Sequence, residues 1–228
     1  MNVYIWTSGE LKNAYIGEYG WKPWANTIAY YPLEWDANDY SWNWWNGTWT
    51  WNESYTTLSS WLKVADFPYS SNWQNYISSS LTTAPATVSF RLYFDNISTS
   101  SLQDWRCPIW QYNASWSWWS FAYYIGSSSK IYCWSWEYTQ TFNATTRYYI
   151  TITNWKFYLN GNELFTCGSF SSSWNTLSIW TNYKNSEWAN YKRALNWKMS
   201  RIILESVNRT QEEISNYYNQ TKSLYWIS

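Results

Sequence analysis

The cluster of residues in this chain best equipped for chemistry is Glu34-Trp-Asp36-Ala-Asn-Asp39, with Asn43 four positions on. Carboxylates at i and i+2 on an extended strand project from the same face. Glycosidases that retain configuration hold two carboxyl groups about 5–5.5 Å apart, one as nucleophile and one as acid/base. Against that use, the cluster falls where a strand runs out into a polar, turn-forming stretch, and no second acidic partner stands out downstream. Two other roles fit the same side chains. Asp36, Asp39 and Asn43 are hard oxygen donors of the kind calcium takes. Asp and Asn in such a stretch also hydrogen-bond their own backbone as Asx turns. Calcium is the cofactor these residues allow, with Asp36, Asp39 and Asn43 as its ligands.

Composition narrows the remaining chemistry. The 228 residues fit one large domain, and they contain no histidine. That removes the commonest general base, the commonest zinc ligand and any Ser/His/Asp arrangement. Cys107, Cys133 and Cys167 are odd in number and lack a Cys-x-x-Cys pair, so three buried thiols are expected rather than a disulfide framework or a zinc site. Fifteen basic residues balance fifteen acidic ones. Without a basic stripe to neutralise phosphates, nucleic acid is not the expected partner.

No run of about 18 apolar residues exists, so no transmembrane helix is expected. The stretch Met1–Glu10 lacks the basic and apolar regions of a signal peptide. Charged residues are only 13%, and Ser, Thr, Asn and Tyr take their place, as in secreted or surface-displayed β proteins. The expected location is extracellular, at a cell surface or on a virion. The Asn-x-Ser/Thr triplets that recur from Asn46 to Asn219 follow from this composition and are read as coincidence.

Such side chains need a scaffold, and from Thr27 the pattern is one of short strands between polar turns. Expected strands are Thr27–Leu33, Leu58–Val64, Trp73–Ser79, Thr87–Phe94, Trp105–Tyr112, Ser120–Ile125, Lys130–Tyr138, Arg147–Thr153, Lys156–Leu159, Glu163–Cys167, Leu177–Thr181 and Lys198–Glu205. Asp36–Gly47 and Asp66-Phe67-Pro68 read as turns. Tyr148, Ile150 and Ile152 share one strand face, with Tyr149 and Thr151 on the other. Asn154-Trp155 and Asn160-Gly161 then read as tight hairpin turns. Thr210-Gln-Glu-Glu213 is a capping box that opens a helix over 210–225. Residues 1–25 read as an arm or connector, and 26–228 as one all-β domain: a two-sheet antiparallel sandwich with one C-terminal helix.

Twenty-four Trp beside seven Gly is anomalous, because ordinary usage gives roughly 16 Gly in a chain this long. Hairpin-rich proteins need glycine for positive φ. Asn43-Trp44, Asn154-Trp155 and Asn196-Trp197 each stand where an Asn-Gly turn would be natural. The positions imply that many of these tryptophans derive from UGA codons, which some uncultured bacterial lineages read as glycine. The alternative is an aromatic ligand surface. Tryptophan enrichment by itself is therefore not a sign of sugar stacking here.

The stretch Tyr31-Pro-Leu-Glu-Trp-Asp-Ala-Asn-Asp-Tyr-Ser-Trp-Asn43, running into Asn46-Gly-Thr48, resembles the opening of bacterial laminin-G-like domains of the concanavalin-A-like lectin/glucanase superfamily. Trp35, Trp42 and Trp44 fall on that family's glycines. Leu58–Lys63, Tyr158–Leu164, Leu177–Thr181 and Leu195–Ile203 are similar to its later strands, with Ser200 where an Asp is usual. The resemblance spans about 27–220 and implies a jelly-roll sandwich carried on surface or phage-like proteins.

These readings together point to a non-enzymatic binding or adhesion module whose partner is a glycan or a protein, with no nucleic acid and no membrane insertion. Two rivals stay open: a glycoside hydrolase or lyase on the same fold, and a purely structural virion or appendage component.

Overall fold

The computed structural model describes residues 25–41, 43–49, 54–58, 63–67, 77–81, 83–94, 104–111, 119–125, 130–133, 136–143, 145–167, 177–179 and 197–225. The expected N-terminal arm lies outside these residues except for Ala25. The described strands are β1 Thr27–Tyr31, β2 Gly47–Trp49, β3 Tyr55–Thr57, β4 Lys63–Phe67, β5 Ile77–Ser79, β6 Thr87–Phe94, β7 Asp104–Gln111 and β8 Trp119–Ile125. There follow β9 Lys130–Cys133, β10 Trp136–Thr139, β11 Arg147–Thr153, β12 Lys156–Leu159, β13 Asn162–Thr166, β14 Leu177–Ile179 and β15 Trp197–Glu205, and then the helix α1, Gln211–Tyr225.

The strands form two antiparallel sheets. The first runs β13-β12-β11-β6-β15-β4-β3, with β1 also paired to β15, and the second runs β10-β9-β8-β7-β14-β5-β2. This is the all-β sandwich with one C-terminal helix that the alternation predicts. Its core holds Val88, Phe90, Leu92 and Phe94 of β6 and Tyr148, Ile150 and Ile152 of β11 together with Ile77, Ile109, Ile131 and Ile179 of the second sheet. Each such aliphatic or aromatic side chain contributes roughly 1.5–3 kcal/mol by leaving water. The alternate residues of β6 and β11 face outward. There Tyr149, with Tyr30, Tyr158 and Ile203, packs beneath Ile214 and Tyr217 of α1 in a smaller apolar layer.

Several expectations need correction. The strand expected at Leu58–Val64 meets the observed β4 only at Lys63 and Val64, Leu58 lies just past β3, and residues 59–62 lie outside the described residues. Asp66 and Phe67 belong to β4 rather than to a turn. Phe67 is fully buried and Asp66 sits opposite Lys198 of β15, so the outer face of β4 carries a cross-strand charge pair that resembles turn chemistry in sequence. Lys130–Tyr138 divides into the paired strands β9 and β10. Trp197 opens β15 instead of occupying a turn, and Asn196 lies outside the described residues.

The strand β2 begins inside the stretch read as turn. Gly47 is required there by close approach, since a Cβ would stand 2.5 Å from Ile77 Cγ2 and 2.8 Å from the Ala37 carbonyl oxygen.

Both hairpins form as the sequence predicts. Thr153 pairs with Lys156 across Asn154 (φ 47°) and Trp155 (φ 64°), and Leu159 pairs with Asn162 across Asn160 (φ 51°) and Gly161 (φ 82°). Both turns have the left-handed pair that type I′ demands.

The strand β15 is the hub of the first sheet. One side pairs with β6; the other pairs with β4 through Trp197–Met199 and with β1 through Ile202–Glu205. At the seam the register against β6 shifts between Ser200 and Ile203, Arg201 adopts φ 49°, and its amide donates to the Pro32 carbonyl at 3.0 Å.

Candidate binding site

Where β1 ends, residues 33–46 fold back over it, and hydrogen bonds to Asp39 dictate the path. Asp39 is only 5% exposed. Its Oδ1 accepts the amides of Tyr30 and Ser41, both at 2.8 Å, and its Oδ2 accepts the Ser41 hydroxyl at 2.8 Å and the Trp45 amide at 2.9 Å. The Ser41 oxygen also lies 3.2 Å from the Ile28 carbonyl; its single proton goes to the nearer, charged acceptor. Asn43 completes the clasp, donating from Nδ2 to the carbonyls of Thr27 (3.1 Å) and Ile28 (2.9 Å). Asp36 serves its own corner, accepting from Asn38 N (3.0 Å), Asn38 Nδ2 (2.8 Å) and the Tyr40 hydroxyl (2.9 Å).

The sequence cluster is thus one loop but three environments. Glu34 is half-buried, and burial raises its carboxyl pKa against the opposing pull of Arg201. Asp36 is engaged within its turn, and Asp39 is turned inward. Four N–H and O–H donors fill the Asp39 oxygens, an arrangement that favours turn stabilisation, because a cation there would have to displace them. Among the described residues no group of three or more acidic, cysteine or histidine side chains gathers as a metal site would. Cys167 is buried as a free thiol, as the sequence suggests; the side chains of Cys107 and Cys133 lie outside the described residues.

This clasp forms one wall of a cleft of about 350 Å³. Asn26, Thr27, Ser41, Asn43, Thr83 and Ser206 line it, together with Trp45, and among the described residues no ionisable side chain lines it. Thr27 is 7% exposed, and its hydroxyl is buried with no hydrogen-bond partner. A hydroxyl so placed costs about 1–3 kcal/mol unless a ligand or water satisfies it. A volume in this range, walled by uncharged donors and acceptors, suits a small neutral polar molecule.

Of these residues the sequence reading singled out only Asn43. The others carry no motif, and they meet only through tertiary pairing: the Ser206 amide donates to the Asn26 carbonyl at 2.8 Å, and Thr27 lies opposite Glu205.

The tryptophans set on presumed glycine positions divide. Trp44 (φ 60°) and Trp155 (φ 64°) adopt left-handed backbone and point outward, 75% and 57% exposed. Trp35 is exposed beneath Lys63, whose Nζ is 3.5 Å from the ring centroid, but its φ is not positive. Trp42 lies outside the described residues.

Architecture and cleft together define an all-β sandwich with a polar surface cleft, and solved structures share that architecture. No protein-family model and no curated protein matches the chain. Domain 4 of AbnA, a GH43 extracellular arabinanase from Geobacillus stearothermophilus solved with arabinotriose, is similar with a TM-score of 0.60 and 14% identity. That likeness covers 84% of this chain and 97% of the arabinanase domain. The receptor binding domain of botulinum neurotoxin D is similar with a TM-score of 0.61 and 14% identity, over 86% of this chain and 53% of that one. A Trypanosoma rangeli sialidase reaches a TM-score of 0.62 at 7% identity, over 88% of this chain but only 33% of its own. At these identities the likeness establishes the fold and nothing finer.

Proposed function

We propose that this chain is a non-enzymatic glycan-binding module and that the cleft beside Asn43 takes a neutral saccharide. The observation that carries this reading is the buried, unpartnered hydroxyl of Thr27, a residue in the wall of a cleft whose described lining is uncharged. Sugars present hydroxyls that donate and accept at once, which complements Asn, Ser and Thr. The similar solved structures support a saccharide ligand in general, neutral or acidic: one was determined with arabinotriose and a botulinum neurotoxin D binding domain with N-acetylneuraminic acid. Binding is favoured over hydrolysis because a hydrolase needs two carboxylates flanking the scissile bond, and among the described residues none lines the cleft. An extracellular or surface-displayed setting is part of the same proposal.

The laminin-G-like resemblance and the codon reading belong to the same proposal. Trp44 stands at a family glycine and Trp155 in an Asn-Gly-type turn, and both have the φ that glycine supplies. Nucleotide sequencing tests this part, with UGA expected at codons 44 and 155.

A saccharide array followed by titration calorimetry tests the function. At least one neutral oligosaccharide is expected to bind, and Thr27→Val, which keeps the shape and removes the hydroxyl, is expected to weaken it about tenfold. An array silent for neutral sugars, or undiminished binding by T27V, overturns the assignment of the cleft.

A further inference from the structure

The outer face of the first sheet carries a second concavity, with a different chemistry. Neighbouring strands set Arg147 of β11, Tyr93 of β6, Lys198 of β15 and Asp66 of β4 in one cross-strand row. The Arg147 guanidinium carbon lies 5.7 Å and the Lys198 Nζ 5.5 Å from the Tyr93 ring centroid. Lys198 is 3.8 Å from Asp66. Arg91, opposite Tyr149 and Ser200 in the next row, adds a third cation to the same cleft. Among the described residues this sets three cations, Arg91 also donating to Thr221 of α1, beside the Asp66 carboxylate.

The decisive atom is Arg147 Nη1, which is buried without a hydrogen-bond acceptor. Burial lowers the Arg147 pKa, the neighbouring Tyr93 acts in the opposite sense, and Arg91 lowers it further. An anion brought to this guanidinium relieves both the missing acceptor and the like-charge crowding. The enclosed space is about 20 Å³, room for little more than one water-sized group, with Leu58 and Met199 among its apolar walls. A flat carboxylate can slide one oxygen into such a slot and meet the planar fork of arginine edge-on. A tetrahedral oxyanion is bulkier in every direction.

We propose that this cleft binds the carboxylate of an acidic saccharide, with Arg147 as the hydrogen-bonding residue and Lys198 and Arg91 as the supporting field. That the carboxylate belongs to a sugar rests on the glycan-binding reading above; that an anion binds here rests on this cleft alone.

The test titrates D-glucuronate, D-glucose and sulfate at matched ionic strength into the full chain. Arginine side-chain NMR and calorimetry follow the wild type, Arg147→Gln, Arg147→Lys and Thr27→Val. Glucuronate is expected to shift the Arg147 Nε–Hε signal saturably, and glucose to leave it in place. R147Q is expected to weaken glucuronate at least tenfold, R147K by less, and T27V not at all. Sulfate is expected to bind more weakly than glucuronate. A wild-type Arg147 signal indifferent to glucuronate overturns the proposal even where R147Q fails to fold. So does equal glucuronate affinity in wild type and R147Q, or sulfate binding as tight as glucuronate. Failure of the neutral-sugar cleft appears separately, as T27V without effect on neutral oligosaccharides.

Discussion

The Asp39 carboxylate and the Tyr30 amide, nine residues apart in sequence, meet at 2.8 Å inside the protein. The same carboxylate holds Ser41 and Trp45, so one buried charge fixes both the exit from β1 and the wall of the polar cleft.

Removing that charge leaves several buried donors without an acceptor. Asp39→Ala is therefore expected to destabilise the fold by about 3 kcal/mol, measured by urea denaturation. Because its oxygens are already filled, millimolar calcium is expected to leave the wild-type midpoint where it is. A calcium-dependent rise in that midpoint would return Asp36, Asp39 and Asn43 to the role of metal ligands.

Left-handed backbone at a residue with a Cβ costs roughly 1–2 kcal/mol. Trp155→Gly and Trp44→Gly are expected to stabilise the protein by about 1 kcal/mol each, since both side chains are largely exposed and little packing is lost. Trp155→Ala keeps the Cβ and serves as the control, with no comparable gain in thermal midpoint. Equal midpoints for W155G and W155A would show that the turn has no need of glycine.

Thr210 and Glu213 cap α1 reciprocally, with Thr210 N to Glu213 Oε2 at 2.8 Å and Glu213 N to Thr210 Oγ1 at 3.2 Å. Thr210→Ala is expected to cost about 1 kcal/mol. The Thr210 amide holds the Glu213 carboxyl below its ordinary pKa; burial opposes it, and Arg209 and the Thr210 hydroxyl add to the lowering. A lowered folded pKa means that the ionised form favours the native state. This contribution is complete above the ordinary carboxylate pKa of about 4.3 and disappears as pH falls through the lowered value. The stability gap between wild type and Glu213→Gln should accordingly be present at pH 7 and close in strong acid. A gap independent of pH would contradict the assignment.

What was legible in the sequence is what is decided locally. Asn154-Trp155 and Asn160-Gly161 announce their hairpins because two adjacent residues set the turn, and the Thr210–Glu213 box announces its helix for the same reason. Period-2 alternation placed β6 and β11, each long enough to show it. The strands β2 and β3, three residues apiece, are too short for a period to emerge, and Asp66 in β4 answers to Lys198, far along the chain. The cleft was illegible because Asn26 and Ser206 are 180 positions apart and carry no distinctive chemistry until β1 and β15 pair. Asp36, Asp39 and Asn43 were found as polar donors, but only the hydrogen bonds reveal which way each one points.

The strand β15 also sets a schedule for synthesis. It leaves the ribosome after β1, β4 and β6, yet all three dock on it. Until residue 205 emerges, the nascent chain carries β6 and β1 without their β15 partner, the kind of bare edge that recruits other chains. Translation that stalls before residue 197 leaves a product without the middle of its first sheet, prone to aggregate rather than to wait in a native-like form.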